Sequence, residues 1–151
     1  MDNIIPDTEV VELAITREIE AYHFYMALSK RVQSKQMRKV FEDFAQEELE
    51  HKQKLELEIL KTGRTYPIDQ PLPEPTGPYI ISNSNELLDM DYRDTLLLCI
   101  EKEDASFRTY INLLPSVADE QAKETLLAIA EQEIKHKLRF QTEYDLLTKS
   151  T

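Results

Sequence analysis

Ala45-Gln46-Glu47-Glu48-Leu49-Glu50-His51 and Ala130-Glu131-Gln132-Glu133-Ile134-Lys135-His136 each carry a Glu-x-x-His, and the two stretches lie 85 positions apart. Two further glutamates, Glu18 and Glu103, neither part of a Glu-x-x-His, are separated by the same 85 residues (103 − 18). The chain reads as a duplicated two-helix unit, each copy supplying one lone Glu and one Glu-x-x-His. Four carboxylates and two imidazoles make the donor set for a pair of divalent iron or manganese ions inside a four-helix bundle. The fold therefore turns on whether these six residues face one another.

Outward from these stretches, the helical boundaries follow from caps and breakers. Both glycines, Gly63 and Gly77, and five of the seven prolines (Pro67, Pro71, Pro73, Pro75, Pro78) fall in one segment. Residues 62 to about 83 read as an extended connector. With a short helical turn over Asn85 to Met90, the whole crossover spans 62–90. On either side the chain is rich in Glu, Lys, Leu, Ala and Gln, which favour helix. Asp7 or Thr8 caps a first helix to about Val32, and Ser34 caps a second that ends at Gly63. Asp91 caps a third helix to about Leu114, and Asp119 a fourth to about Leu147. Short loops make each half an antiparallel hairpin, while the long crossover lets helices two and three lie parallel. The expected fold is all-α: a ferritin-like antiparallel four-helix bundle of two helical hairpins, forming one domain over residues 1–151.

Composition narrows the function. Of 151 residues, 29 are acidic and the formal charge is −11, which repels nucleic acid and anionic membrane. The longest apolar runs, such as Leu96 to Ile100, are too short to span a bilayer. A single cysteine, Cys99, excludes an internal disulfide and a four-cysteine iron–sulfur site in these residues. A reducing, cytoplasmic setting and an external electron source are the corresponding expectations.

Helical periodicity puts all six candidates on core faces. The stripes run Val11, Ala14, Glu18, Ala21, Tyr25, Leu28; then Met37, Phe41, Phe44, Glu48, His51, Leu55, Ile59. They continue as Leu96, Cys99, Glu103, Ser106, Tyr110, Leu114, and then Leu126, Ile129, Glu133, His136, Phe140, Tyr144, Leu147. A Glu and a His three apart project from one side of a helix. Buried carboxylates demand a compensating cation, and two divalent ions balance four carboxylates. Small residues (Ala21, Ala45, Ser106, Ala130) leave room beside the donors. Tyr25 and Tyr110, each seven residues past a lone glutamate, are candidate hydrogen-bond donors behind the site.

At these residues the chain resembles the rubrerythrin branch of the ferritin-like superfamily over nearly its whole length, the proline-rich connector excepted. The resemblance implies that Glu48 and Glu133 bridge two metals, while Glu18 with His51 and Glu103 with His136 complete one metal each. It implies two iron ions, with manganese or zinc as substitutes, reacting with hydrogen peroxide or dioxygen. A ferroxidase or iron-handling role, or a non-catalytic metal-binding bundle, is the alternative. Full-length rubrerythrins carry a rubredoxin domain that these residues lack, so a rubredoxin-like donor is an expected partner. Rubrerythrins also tend to carry an additional glutamate one turn after the lone glutamate of the third helix; here it is Ser106. Only fifteen residues follow His136 (151 − 136), too few for the fifth helix of a storage cage.

The remaining chemical groups have plainer readings. His23 lies about 140° around the helix from Glu18 and is expected to face solvent. Cys99 reads as a small core residue and Lys35 to Lys39 as surface charge. Glu20, Glu47, Glu50 and Glu101 read as a solvated face, with an iron-entry path at Glu47 and Glu50 as the alternative. Tyr22, Tyr25 and Tyr110 are redox candidates, core packing being the simpler reading. A homodimer, with hairpins exchanged between chains through the crossover as a variant, is the expected assembly.

Overall fold

Good helix formers between strong breakers produce four long helices: α1 Asp7–Ser29, α2 Lys35–Lys61, α3 Tyr92–Leu113 and α4 Glu120–Lys149. The computed structural model describes residues 6–64, 66, 71–74 and 92–149. Most of the crossover, the turn expected over 85–90 and the cap expected at Asp91 lie outside the described residues. No strand occurs among those described.

Local chemistry sets the ends. Ser34 caps α2 by accepting from the Met37 amide at 3.2 Å. Beyond the other end of α2, Gly63 takes φ +84°, a left-handed conformation that costs glycine little. Asp119 caps α4, accepting from the Ala122 amide at 2.9 Å. A 3₁₀ turn over Leu114–Ser116 absorbs Pro115 where α3 stops.

The start of α1 departs from expectation. Neither Asp7 nor Thr8 caps it; Pro6 is the N-cap and makes no side-chain cap bond. The Asp7 carboxylate instead accepts from the Ala118 and Asp119 amides, both at 3.0 Å. A residue chosen for local capping thus ties the start of the chain to the α3–α4 turn.

Pairs of contacts fix the helix directions. Tyr25 meets Glu103 and Tyr110 meets Glu18, so α1 and α3 run antiparallel. Glu47 meets His136 and Glu58 meets Thr125, so α2 and α4 are antiparallel too. With each hairpin antiparallel, α2 and α3 lie parallel on the diagonal. This is the ferritin-like four-helix bundle that the spacing predicts.

The core falls into two apolar clusters with a charged layer between them. One is built on Val11, Ala14, Leu55, Ile59, Leu126 and Ile129. The other is built on Tyr25, Leu28, Phe41, Leu96, Cys99 and Phe140. Between them lie Glu18, Glu48, His51, Glu103, Glu133 and His136, every one buried.

Asp7→Ala should lower stability by about 1 kcal/mol, the usual net value of an intramolecular hydrogen bond. Urea unfolding should register this as a reduced midpoint with an unchanged slope. An unaltered midpoint would show that the tie contributes nothing.

Candidate metal centre

Each helix delivers its part of the layer from the middle of its buried stripe. α1 brings Glu18, α2 brings Glu48 and His51, α3 brings Glu103, and α4 brings Glu133 with His136. The six residues singled out in the sequence converge as two overlapping groups. Glu18, Glu48, His51 and Glu133 form one; Glu48, Glu103, Glu133 and His136 form the other. Within each group the donor atoms lie within 4.8 Å of one another, close enough to hold a metal ion. Glu48 and Glu133 belong to both.

The two oxygens of Glu48 face different imidazoles. Oε2 lies 3.9 Å from His51 Nδ1, and Oε1 lies 3.3 Å from His136 Nδ1. His51 Nδ1 also stands 3.4 Å from Glu18 Oε2 and 3.9 Å from Glu133 Oε1. His136 Nδ1 stands 3.6 Å from Glu103 Oε1. Both histidines therefore turn the same ring nitrogen toward the carboxylates.

Tyrosines cross between the repeats. Tyr25 donates to Glu103 Oε1, and Tyr110 donates to Glu18 Oε1. Each lone glutamate keeps one oxygen fixed by a tyrosine on the other hairpin, which orients the carboxylate within the layer. Burial, and then the charge of Glu18, push the Tyr110 hydroxyl well above its ordinary value, so it serves as a neutral donor.

Burial shapes the proton inventory. It pushes Glu18 well above the usual carboxylate range, as does the neighbouring charge of Glu48. Burial and then the charges of Glu103 and Glu48 push Glu133 up likewise. Burial also acts to raise Glu48, but Glu18, His136, His51 and Lys102 outweigh it and hold that carboxyl well below the usual range. For the imidazoles burial acts to lower the value, yet Glu18 and Glu48 carry His51 up to about 9. Glu103, Glu47 and Glu48 carry His136 up to about 12. In the metal-free layer, burial and mutual repulsion thus favour the protonated forms of Glu18 and Glu133, and the neighbouring carboxylates favour those of His51 and His136.

Two participants escape a reading of the sequence. Glu47, expected on a solvated face, accepts from His136 Nε2, fixing the ring with Nδ1 turned inward. Phe44 stacks on the same ring at 3.9 Å. Lys102, a charged residue on a helix with ample exposed surface, is 3% exposed and lies beside Glu103. Both sit at the margin of a core stripe: Glu47 lies three residues after Phe44 and four before His51, and Lys102 lies three residues after Cys99 and four before Ser106; that spacing is the only sequence signal for either. His23 also differs from expectation. It is half-buried rather than open to solvent, with Nε2 2.9 Å from the Pro73 carbonyl oxygen, away from the layer. Cys99 is buried and unpaired, and burial pushes its thiol far up, so it is core.

The donor set fits a metal. Both oxygens of Glu48, both of Glu133, Glu103 Oε2 and His136 Nδ1 are buried without a hydrogen-bond partner among the described residues. Buried polar atoms left unsatisfied cost about 1–3 kcal/mol each, and coordination would satisfy all of them. A groove of about 480 Å³ between α2 and α4, with Leu57, Ile129 and Gln132 on its walls, reaches His51.

A four-helix bundle with a duplicated, buried carboxylate–histidine layer defines a class of metal-binding ferritin-like proteins. Within that class, the chain belongs to the rubrerythrin family, whose model matches residues 9–144. No curated protein matches. Among solved structures, the chain is similar to a hypothetical protein from Pyrococcus furiosus, with 24% identity and a TM-score of 0.77. That match covers 96% of this chain and 92% of the other, and it speaks to the fold. Family membership together with the buried cluster points to a metal cofactor. No described helix is long and apolar enough to cross a membrane.

The raised groups give a sign for pH dependence. A histidine raised from 6.5 to about 9 contributes stability that is complete below about pH 6.5. That contribution declines as the unfolded chain loses its proton, and it is gone once His51 itself deprotonates. The raised Glu18 and Glu133 act in the same direction. The melting temperature of the metal-free protein should therefore fall between pH 6.5 and 9. A flat profile across that range would show that the imidazoles do not carry the layer.

Proposed function

We propose that the layer holds two iron ions and that the protein is an oxidoreductase reducing hydrogen peroxide or dioxygen with an external electron donor. The observation that carries this is Glu48, whose two oxygens face the two different imidazoles. Glu48 and Glu133 are the shared carboxylates, Glu18 with His51 and Glu103 with His136 the terminal donors. Four carboxylates balance two divalent ions, which resolves the repulsion that protons otherwise relieve. Bound ferrous iron supplies two electrons, which with two protons convert hydrogen peroxide to two waters.

The chain's own residues set the conditions for that chemistry. Tyr25 and Tyr110 hold the lone glutamates in orientation, and Glu47 holds His136. The apolar clusters on either side keep bulk water away from the layer, while the α2–α4 groove gives a small reactant a path to His51. The only cysteine is buried, so electrons come from a partner, of which a rubredoxin-like protein is the proposed class.

Stopped-flow mixing of the anaerobic, iron-loaded protein tests the reaction. Peroxide should oxidise it at least about tenfold faster than dioxygen, the scale on which enzymes discriminate related substrates. Faster reaction with dioxygen, together with mineral growth from excess ferrous iron, would assign iron handling instead. Glu48→Ala should lose the paired site and keep its helical circular dichroism. Retention of two irons by that variant would remove Glu48 from its bridging role.

A further inference from the structure

Each lone glutamate is preceded by a cation: Arg17 before Glu18 and Lys102 before Glu103, again 85 positions apart (102 − 17). The two cations do not occupy equivalent places. The Arg17 side chain is 38% exposed and its guanidinium turns to Glu20 Oε2 at 3.6 Å. The Lys102 side chain is 4% exposed, with Nζ 3.8 Å from Glu103 Oε1. Nζ also lies 5.2 Å from the centre of the Tyr25 ring and 5.8 Å from that of Phe24. It has no hydrogen-bond partner among the described residues.

The repeat itself gives the reason. Glu20, which draws Arg17 outward, corresponds to Ala105 in the second copy (105 − 20 = 85), so no carboxylate at that position draws Lys102 away. Phe24 corresponds to Thr109, so only Lys102 finds two ring faces opposite it. A carboxylate and two aromatic faces all attract a cation.

We propose that Lys102 makes the two halves of the layer unequal toward divalent cations. The Glu18–His51 half fills first and tightly; the Glu103–His136 half fills second and more weakly. This rests on the metal-binding reading of the six donors. A fixed positive charge beside Glu103 opposes a second cation at that carboxylate, and burial leaves the repulsion weakly screened. Glu47 acts in the opposite sense through His136, but its side chain is 41% exposed, so solvent screens it more than Lys102. Arg17 exerts less on Glu18 because it is closer to water and engaged by Glu20. The chain is thereby suited to retain one ion while exchanging the other.

Titration of the metal-free protein with zinc, followed by NMR of ¹⁵N-labelled histidine side chains, tests this. In the wild type the first equivalent should move the His51 resonances, and His136 should move only with the second. Lys102→Met should tighten the second step by about tenfold or more and the first, which it reaches through the shared Glu48, by less, so that the gap between the steps narrows; Lys102→Arg should keep the separation. If Lys102→Met fails to fold, Lys102→Gln carries the same expectation. His136 responding first or together with His51, or an unchanged gap in the uncharged variant, would overturn the inference alone. No zinc at either histidine in the wild type would overturn both it and the metal-centre reading.

Discussion

Four carboxylates buried at one level of an apolar bundle are the constraint on which the rest of the structure depends. Charge of one sign, taken from water at such density, is unfavourable enough to unfold a small domain unless something compensates it. The fold answers with two imidazoles inside the layer, a tyrosine against each lone glutamate, and a buried lysine beside one of them. Apolar clusters above and below hold the helices in place so that the layer cannot relax by opening. The arrangement carries more donor atoms than the protein itself can satisfy, and that excess characterises a site built for a cation.

The 85-residue repeat of the donors matches the near-symmetry of this layer, and the same offset shows where symmetry fails. Tyr25 and Tyr110 match one another in position and in task, each reaching across to the other copy's glutamate. The residues around them differ. Glu47 of one copy corresponds to Gln132 of the other (132 − 47 = 85): the first braces His136, while the second lines the groove that reaches His51. Lys102 is inside and Arg17 is not. The two halves share one donor pattern but differ in the charge and the access each offers.

Much of this was legible in the residues. Glu18, Glu48, His51, Glu103, Glu133 and His136 interrupt otherwise apolar stripes, so helical periodicity puts them on core faces, and their place near the middle of each helix brings them to one level. The helix ends at Ser34, Gly63 and Asp119 followed from capping chemistry that is local, and the hairpin pairing from the short loops within each half. What periodicity could not foresee was long-range. Asp7 looks like a cap for its own helix but satisfies amides more than a hundred residues away. Glu47 and Lys102 look like surface charges because a position at the edge of a stripe can turn either way. Which way it turns depends on neighbours contributed by another helix. His23 meets the connector at Pro73, a contact for which the helix carries no signal.

Anomalous X-ray diffraction at the iron edge, from crystals of the anaerobically loaded protein, bears most directly on the central proposal. Two iron peaks should lie within the layer, one bounded by Glu18 and His51, the other by Glu103 and His136, with Glu48 and Glu133 between them. A single peak, or iron bound only at the acidic surface, would contradict it.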